Sequence, residues 1–574
     1  MQTSPASAAP AVSPVPPIPA LSWVPRVDGW TLGILALAAL FTGPLLAVLG
    51  VALEDTGDAW AHLASTVLGT YVKETLLLIT GVAAGILIIG VATAWLVTMF
   101  EFPGRSVLQW ALLLPLAMPA YIAAYTYTDV LEFAGPVQTW LRQLFGWQSP
   151  GDYWFPEVRS LGGAVTFMSL VLYPYVYLLA RAAFAEQSQS LWDAARGLGF
   201  GTWECFWRVA VPLARPAIAI GVLLALMETL NDFGTVDFFA VQTLTIGVYR
   251  VWFGMNNPPA AAQLASMVLV LVLVMATLER IARGRRRYQF NHNAPRRHPL
   301  ARLRGYRGMM ALGACTAPLV LGFVVPAVIM AVSAFGSYGS STGVDTLTLA
   351  FNSVAVASLT ALACLCAGLF LAYGARLSGT ALVKWATRIA SIGYTVPGVV
   401  LAIGVIIFAA ALDNTVDGFM RTRFETSTGL ILSGTLCALV FACTVRFLAL
   451  SFGSLEAGLT KITPSMDAAA RSLGHRPGGV LARIHFPLLR GSLLTGAMLV
   501  FVDGMKELPM TLLLRPFNFN TLATHVYEYA SYEAFDQAVI AALIIVAAGL
   551  APVIALSQSF GGSGRFSQPA DQVH

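Results

Sequence analysis

Charge is scarce in this chain. Only 11% of its 574 residues are Asp, Glu, Lys or Arg, against roughly 25% in soluble domains. Mean hydropathy is +0.72, and 57% of residues are hydrophobic. A soluble fold cannot hide that much apolar surface, so the composition excludes one and implies a polytopic membrane protein. Phosphate-binding and zinc-hydrolase signatures are missing too. There is no G-x-x-x-x-G-K-[ST] and no H-E-x-x-H, so nothing equips the chain to hydrolyse ATP by itself. No nucleophile–base pair or metal-ligand spacing stands out, which argues against an enzyme. Cysteines number six. Cys205 falls in a polar loop, and Cys315, Cys364, Cys366, Cys437 and Cys443 fall in apolar runs, so no structural disulfide is expected. Cys364 and Cys366 are two apart on a helix and point to different faces, a poor metal pair. The net charge of +5 gives no reason to expect a nucleic-acid partner.

Met1 to Gly29 holds seven prolines and no basic residue before Arg26. It lacks the basic start and apolar core of a signal peptide and reads as a disordered tail. Apolar runs long enough to cross roughly 30 Å of hydrocarbon come after it. The first six are about Thr31–Leu53, Val72–Phe100, Leu108–Leu131, Gly162–Ala185, Ala214–Phe233 and Ala260–Ile281. The second six are about Met309–Phe335, Asn352–Leu377, Ile389–Leu412, Thr428–Phe452, Gly491–Leu513 and Phe535–Leu556. Between them, Arg280 to Arg307 carries ten arginines and no acid. A nucleic-acid arm and a lipid-headgroup patch are alternatives, but the positive-inside rule makes this linker cytoplasmic. Six spans on each side then put both termini in the cytoplasm. The segments are a tail (1–29), a first repeat (30–283), a basic linker (284–308), a second repeat (309–560) and a cytoplasmic tail (561–574). Leu131 to Leu161 is the largest external loop, fit to receive a soluble partner or to pack as a lid.

The halves repeat in register. Trp110 matches Trp385, and Gly104 matches Gly379, at an offset of 275. Pro119 and Pro397 match at 278, inside the third spans, where proline predicts a kink. Thr243-Leu244 and Val248-Tyr249 match Thr521-Leu522 and Val526-Tyr527, also at 278. Equal span number and order place the repeats about a twofold-like axis along the membrane normal.

The most telling repeat is polar. Asp193-Ala194-Ala195-Arg196-Gly197-Leu198-Gly199 is followed thirteen residues on by Pro212-Leu213. Ala468-Ala469-Ala470-Arg471-Ser472-Leu473-Gly474 is followed thirteen on by Pro487-Leu488. Both lie between the fourth and fifth spans of their half, on the cytoplasmic side by the charge argument. An ordinary pair of helix hairpins is one reading. The wording, however, resembles the loop by which ABC importer permeases dock into their ATPase subunits. That resemblance assigns docking to Asp193, Ala194, Ala195, Gly199 and Pro212, and to Asp467, Ala469, Ala470, Gly474 and Pro487. The second copy departs from the pattern, with Ala468 opposite Asp193 and its acid one place earlier at Asp467.

Each fifth span also carries ionisable residues at depth. Glu228 matches Asp503 and Asp232 matches Glu507 at offset 275, with Lys506 between the second pair. Residues four apart share a helix face, so each pair should form one stripe. Glu228 lies sixteen residues past Pro212, roughly 24 Å along a helix, in the outer half of the membrane or at its outer edge. Charges at such depth usually face a cavity or a partner. They either line a cation path, with transient metal contact at Glu228, Asp232, Asp503 and Glu507, or are structural, with Lys506 neutralising an acid and the acids capping the next segment. Gly234 and Pro509 should end the two helices.

Glu228-Thr229-Leu230-x-Asp232-Phe233-Gly234-Thr235-Val236 and Gly247-Val248-Tyr249-Arg250-x-Trp252-Phe253-Gly254-Met255 resemble ferric-iron ABC importer permeases. So do Met505-Lys506-Glu507-Leu508-Pro509-x-Thr511-Leu512-Leu513-Leu514-Arg515-Pro516 and Tyr527-Glu528-Tyr529-Ala530. The resemblance covers nearly the whole chain after the tail. It implies an all-α type I importer permease of about 12 spans with both repeats fused, set in the inner membrane. It also implies two ATPase subunits that hold the ATP, an external substrate-binding protein, no bound cofactor, and Fe(3+) as cargo. Ferric iron prefers hard oxygen donors, which carboxylates and phenols supply. The same machine with a polyamine, thiamine or an inorganic anion as cargo is the near alternative. A secondary transporter driven by an ion gradient is the distant one, and it needs no matched docking loops.

Overall fold

A computed structural model describes residues 29–283, 301–336, 346–475 and 477–561. The proline-rich tail, most of the arginine linker and the carboxyl-terminal tail lie outside them. Among the described residues, ten helices are long and apolar enough to cross a membrane. An eleventh position is a pair, Arg105–Ala117 and Ala120–Phe145, bent by 88°. The twelfth is a shorter apolar helix, Val539–Ile554. All twelve expected runs are therefore helical, and the only strand pairing among the described residues is a two-residue parallel bridge. It joins Phe100 and Glu101 to Ala301 and Arg302 and ties the end of the linker to the end of the second span.

The third spans break rather than kink. Helix Arg105–Ala111 gives way to a 3-10 turn, Leu114–Ala117, before Ala120–Leu131 begins. In the second half, Ala381–Ala390 gives way to Ser391–Thr395 before Gly398–Phe424. Proline forces the residue before it out of the helical region, and Met118 and Val396 are both extended. Pro119 and Pro397 then cap the next helix from an extended conformation. Each break takes backbone groups out of the helical ladder, so they need partners from elsewhere.

The entries to the fifth spans are also matched. Phe206–Ala210 and Leu481–His485 are π turns, 275 residues apart. Pro212 and Pro487 cannot donate to the carbonyl four residues back, so the ladder widens by one residue just before them.

The first span of each half packs on the other half. Gly29–Val51 lies against Ala381–Ala390 and Gly398–Phe424, with Trp30 stacked on Phe370 at 5.1 Å. Gly404 sits so close to this span that a Cβ there would meet the Pro44 carbonyl at 2.5 Å. In return, Tyr306–Gly336 packs on the first half, where a Cβ at Gly322 would come 2.3 Å from the Leu170 carbonyl. The halves are interlocked, and a cavity lined by residues of both lies between them.

Candidate functional site: two surface loops and a four-carboxylate cavity

The loop residues of the first repeat form a short helix, Gln189–Gly197, a turn at Gly199 and a second helix from Thr202. The Phe200 N–H donates to the Ala195 carbonyl at 3.1 Å and the Gly199 N–H to the Arg196 carbonyl at 2.9 Å. The second repeat does the same, with the His475 N–H donating to the Ala470 carbonyl at 3.1 Å. This closure needs a left-handed residue, and Gly199 and Gly474 have φ of +83° and +82°. A Cβ at either glycine would meet nothing within 4 Å, so backbone strain, not a clash, selects glycine here. Ala195 and Ala470 are buried, whereas Asp193, Ala194 and Ala469 are exposed. Leu198 and Leu473, to which the sequence reading gave no role, are 75% and 77% exposed beside the two turns.

Asp467 departs from the expected role. It points inward, taking the register position of Trp192. Arg376 Nε donates to its Oδ2 at 2.8 Å, and His485 Nε2 hydrogen-bonds its Oδ1 at 2.7 Å. Arg376 also donates to the carbonyls of Leu459 and Ile462 at 2.7 and 2.8 Å. Burial pushes the Asp467 carboxyl up, but the hydrogen bonds from Arg376 and His485 and their charge outweigh it and hold the pKa below the usual carboxylate value. The corresponding spot in the first half is aromatic. Trp192 lies 5.5 Å from Trp95, which is 4.9 Å from Phe206. Asp467 thus anchors its loop to the membrane domain and is not a surface acid.

Glu228, Asp232, Asp503, Lys506 and Glu507 all line one cavity of about 80 Å³. It lies between the halves, and Tyr121, Tyr175, Tyr394 and Arg446 share its wall. The expected stripe is corrected. Glu228 and Asp503 are in the last turns of their helices, which end at Asn231 and Met505. Asp232 and Glu507 lie past those ends and accept bonds from the short helices beyond. Asp232 accepts from the Thr235 N–H at 2.8 Å and the Thr235 hydroxyl at 2.6 Å. Glu507 accepts from the Met510 N–H at 3.2 Å. Gly234 and Pro509 accordingly open short helices rather than closing long ones.

The second-repeat acids have cationic partners. Lys506 Nζ is 2.9 Å from Asp503 Oδ1. Arg446 Nε is 3.5 Å from Glu507 Oε2, an ion pair rather than a hydrogen bond, with both side chains almost wholly buried. Arg446 also donates to the Val396 carbonyl at 2.9 Å, satisfying a group freed by the broken third span. Asn231 Oδ1 accepts from the Gly398 N–H at 2.8 Å across the halves. Among the described residues no cation pairs with Glu228 or Asp232 within ion-pair distance. Nor do any three His, Cys, Asp or Glu side chains among them converge at metal-ligating spacing. The four acids are dispersed on the walls and do not form a ready chelate. Arg446 escaped the sequence reading; its signal was a lone arginine in the apolar run Thr428–Phe452.

Comparison with known proteins fits this layout. The family described as binding-protein-dependent transport system inner membrane component matches residues 86–288 and 364–561, once in each half. The Fe(3+)-transport system permease protein FbpB 2 of Haemophilus influenzae is 24% identical over 490 residues, 85% of this chain and 89% of that protein. A probable ABC transporter permease protein, y4fN, of Sinorhizobium fredii is 24% identical over 571 residues, 92% of this chain and 96% of its own. The molybdenum transport system permease protein ModB of Escherichia coli is 28% identical over 206 residues, 34% of this chain but 86% of its own length.

Proposed function

The chain belongs to the family of binding-protein-dependent transport system inner membrane components, and from that premise we propose that it is the fused permease of an ATP-driven importer of ferric iron. The loops around Gly199 and Gly474 are the docking sites of two ATPase subunits, which hold and hydrolyse the ATP. An external binding protein delivers the cargo. Both termini and the arginine linker face the cytoplasm, and the protein resides in the inner membrane with no cofactor of its own.

One observation carries the choice of cargo: four carboxylates and three phenols face one cavity against only two cations. Such a wall attracts a hard polyvalent cation and repels an anion. The likeness to a ferric permease over 85% of the chain supports the same cargo. Among the described residues Glu228 and Asp232 have no cation within ion-pair distance and are the groups left to meet the cargo; Lys506 and Arg446 hold Asp503 and Glu507. Dispersed acids attract without trapping, which suits a site that must release what it takes. Movement of the walls as the ATPases close and open then changes the distance between acids and so their hold on the cargo.

A competition assay tests the cargo. Vesicles with the permease and ATPase take up ferric iron from its binding protein, with sulfate, molybdate, thiamine or spermidine added in excess. Unchanged iron uptake supports the proposal; ATP-driven accumulation of one of the competitors in place of iron overturns it.

A further inference from the structure

Tyr527 and Asp237 come from opposite repeats and meet through a hydrogen bond. The Tyr527 hydroxyl donates to Asp237 Oδ2 at 2.6 Å. Neither residue lines the four-carboxylate cavity. Two further phenols lie between this contact and the cavity. Tyr121 lines the cavity, and Tyr125, one helical turn on, has its ring 5.7 Å from that of Tyr121. The Tyr125 ring is also 4.4 Å from Phe238, the neighbour of Asp237. Tyr121, Tyr125 and the partly buried Tyr527 belong to one packed cluster. The titratable neighbours of Tyr125 are Tyr527, Tyr121, Asp232 and Asp237. On the far side, Arg159 of the large loop after the third span lies 4.7 Å over the Phe238 ring.

The hydroxyls of Tyr121 and Tyr125 are buried and have no hydrogen-bond partner among the described residues. Buried polar groups are nearly always paired, and each exception asks for a reason. Two exceptions in consecutive turns of Ala120–Leu131, between a cavity of acids and an Asp–Tyr contact, share one reason if an oxygen-seeking ion visits them.

We propose that Asp237 and Tyr527, with Tyr125 behind them, form a second station for a hard trivalent cation, placed between the large loop and the four-carboxylate cavity. The inference rests on the proposed ferric-iron cargo. On arrival of Fe(3+), the Tyr527 O–H bond breaks and an O–Fe bond forms. The proton leaves to water, so the Asp237 carboxylate stays charged and meets the cation; no electron is transferred. Unpaired phenols at Tyr125 and Tyr121 then offer the next oxygens toward Asp232. Tyr249 stands at the position of Tyr527 in the first repeat, offset by 278, but the counterpart of Asp237 in the second repeat is no acid: it is Leu512 at an offset of 275 or Arg515 at 278. The station therefore belongs to one side of the pseudo-symmetric pair.

Phenolate bound to Fe(3+) gives a visible charge-transfer absorption, and since Tyr121, Tyr175 and Tyr394 line the four-carboxylate cavity, the station is read as the part of the band that depends on Tyr527. The full permease–ATPase complex in lipid nanodiscs is titrated with ferric nitrilotriacetate, and uptake by vesicles of the same preparation is measured in parallel. The wild type should develop the band. Tyr527→Phe should lose most of it, and Asp237→Asn and Tyr125→Phe should weaken it several-fold. Tyr527→Phe removes only a hydroxyl, and Asp237→Asn tests the same contact from its other side. Ferric uptake without any band in the wild type refutes the station and leaves the iron reading standing. A full band in the Tyr527→Phe/Tyr125→Phe double variant also refutes it. A wild type that carries another cargo and no iron refutes both.

Discussion

A guanidinium buried among apolar side chains needs a counter-charge, and Glu507 is the one that Arg446 has. Both lie at 4–5% side-chain exposure. Removing one partner of such a pair leaves the other charged, buried and unpaired, which costs roughly 3–5 kcal/mol. Arg446→Ala should therefore destabilise the protein by about that amount, read as a lowered melting midpoint in detergent. Adding Glu507→Gln to Arg446→Ala should recover much of the loss, since the stranded charge is gone. Equal melting of the single and double variants would show that the pair is not coupled. Glu228 gives the contrasting case: with no cation among the described residues at ion-pair distance, Glu228→Gln should leave the midpoint almost unmoved. The sequence placed the four acids but not Arg446. A lone charge vanishes in a hydropathy average, and its counterpart at offset 275 is Val171, so the repeat gave no second sighting.

At the scale of the element, the two surface loops share a closure but differ beneath it. Left-handed backbone costs a residue with a Cβ roughly 1–2 kcal/mol, and asparagine tolerates it best. Gly199→Val and Gly474→Val should uncouple ATP hydrolysis from transport, while Gly199→Asn should keep most of the coupling. If valine and asparagine fail alike, a steric contact with the ATPase explains the glycine instead. Asp467 makes the second loop depend on pH. Its pKa is depressed in the fold, so its contribution is full above the ordinary aspartate value of about 3.9. That contribution is lost only as pH falls through the lower, folded value. Hydrogen exchange, corrected for intrinsic rates, should stay flat across residues 464–475 from neutral to mildly acidic pH and rise only in strong acid. A rise already in mildly acidic solution would contradict the assignment of this control to Asp467. Sequence showed these loops because their register repeats. It could not show that Asp467 turns inward, because its partners Arg376 and His485 are 91 and 18 residues away and take no part in the repeat.

Over the whole molecule, twelve apolar positions and their twofold repetition were legible because length and hydropathy suffice for both. The swap of first spans between halves was not, since one apolar helix offers no signal for which neighbour it chooses. The depth of the third-span breaks was half legible: proline announced a kink, and the 3-10 turns before Pro119 and Pro397 enlarged it to a break. Orientation is argued from the ten arginines of the linker, which resist translocation. A cysteine introduced as Asn293→Cys should stay unlabelled by an impermeant reagent in intact cells and react after lysis. Ready labelling from outside would invert the assignment of loops and linker.

The measurement that bears most directly on the proposed path is ATP-driven ferric uptake into vesicles holding the permease, its ATPase and its binding protein. The wild type is compared there with Glu228→Gln/Asp232→Asn. These two acids are chosen because no cation among the described residues pairs with either, so their loss strands no buried charge. Wild-type vesicles should accumulate iron only when ATP and binding protein are both present. The double variant should bind the ATPase normally yet transport at least roughly tenfold more slowly, the loss expected when about 1.4 kcal/mol of attraction is removed. Wild-type uptake by the double variant would contradict the assignment of this cavity as the path.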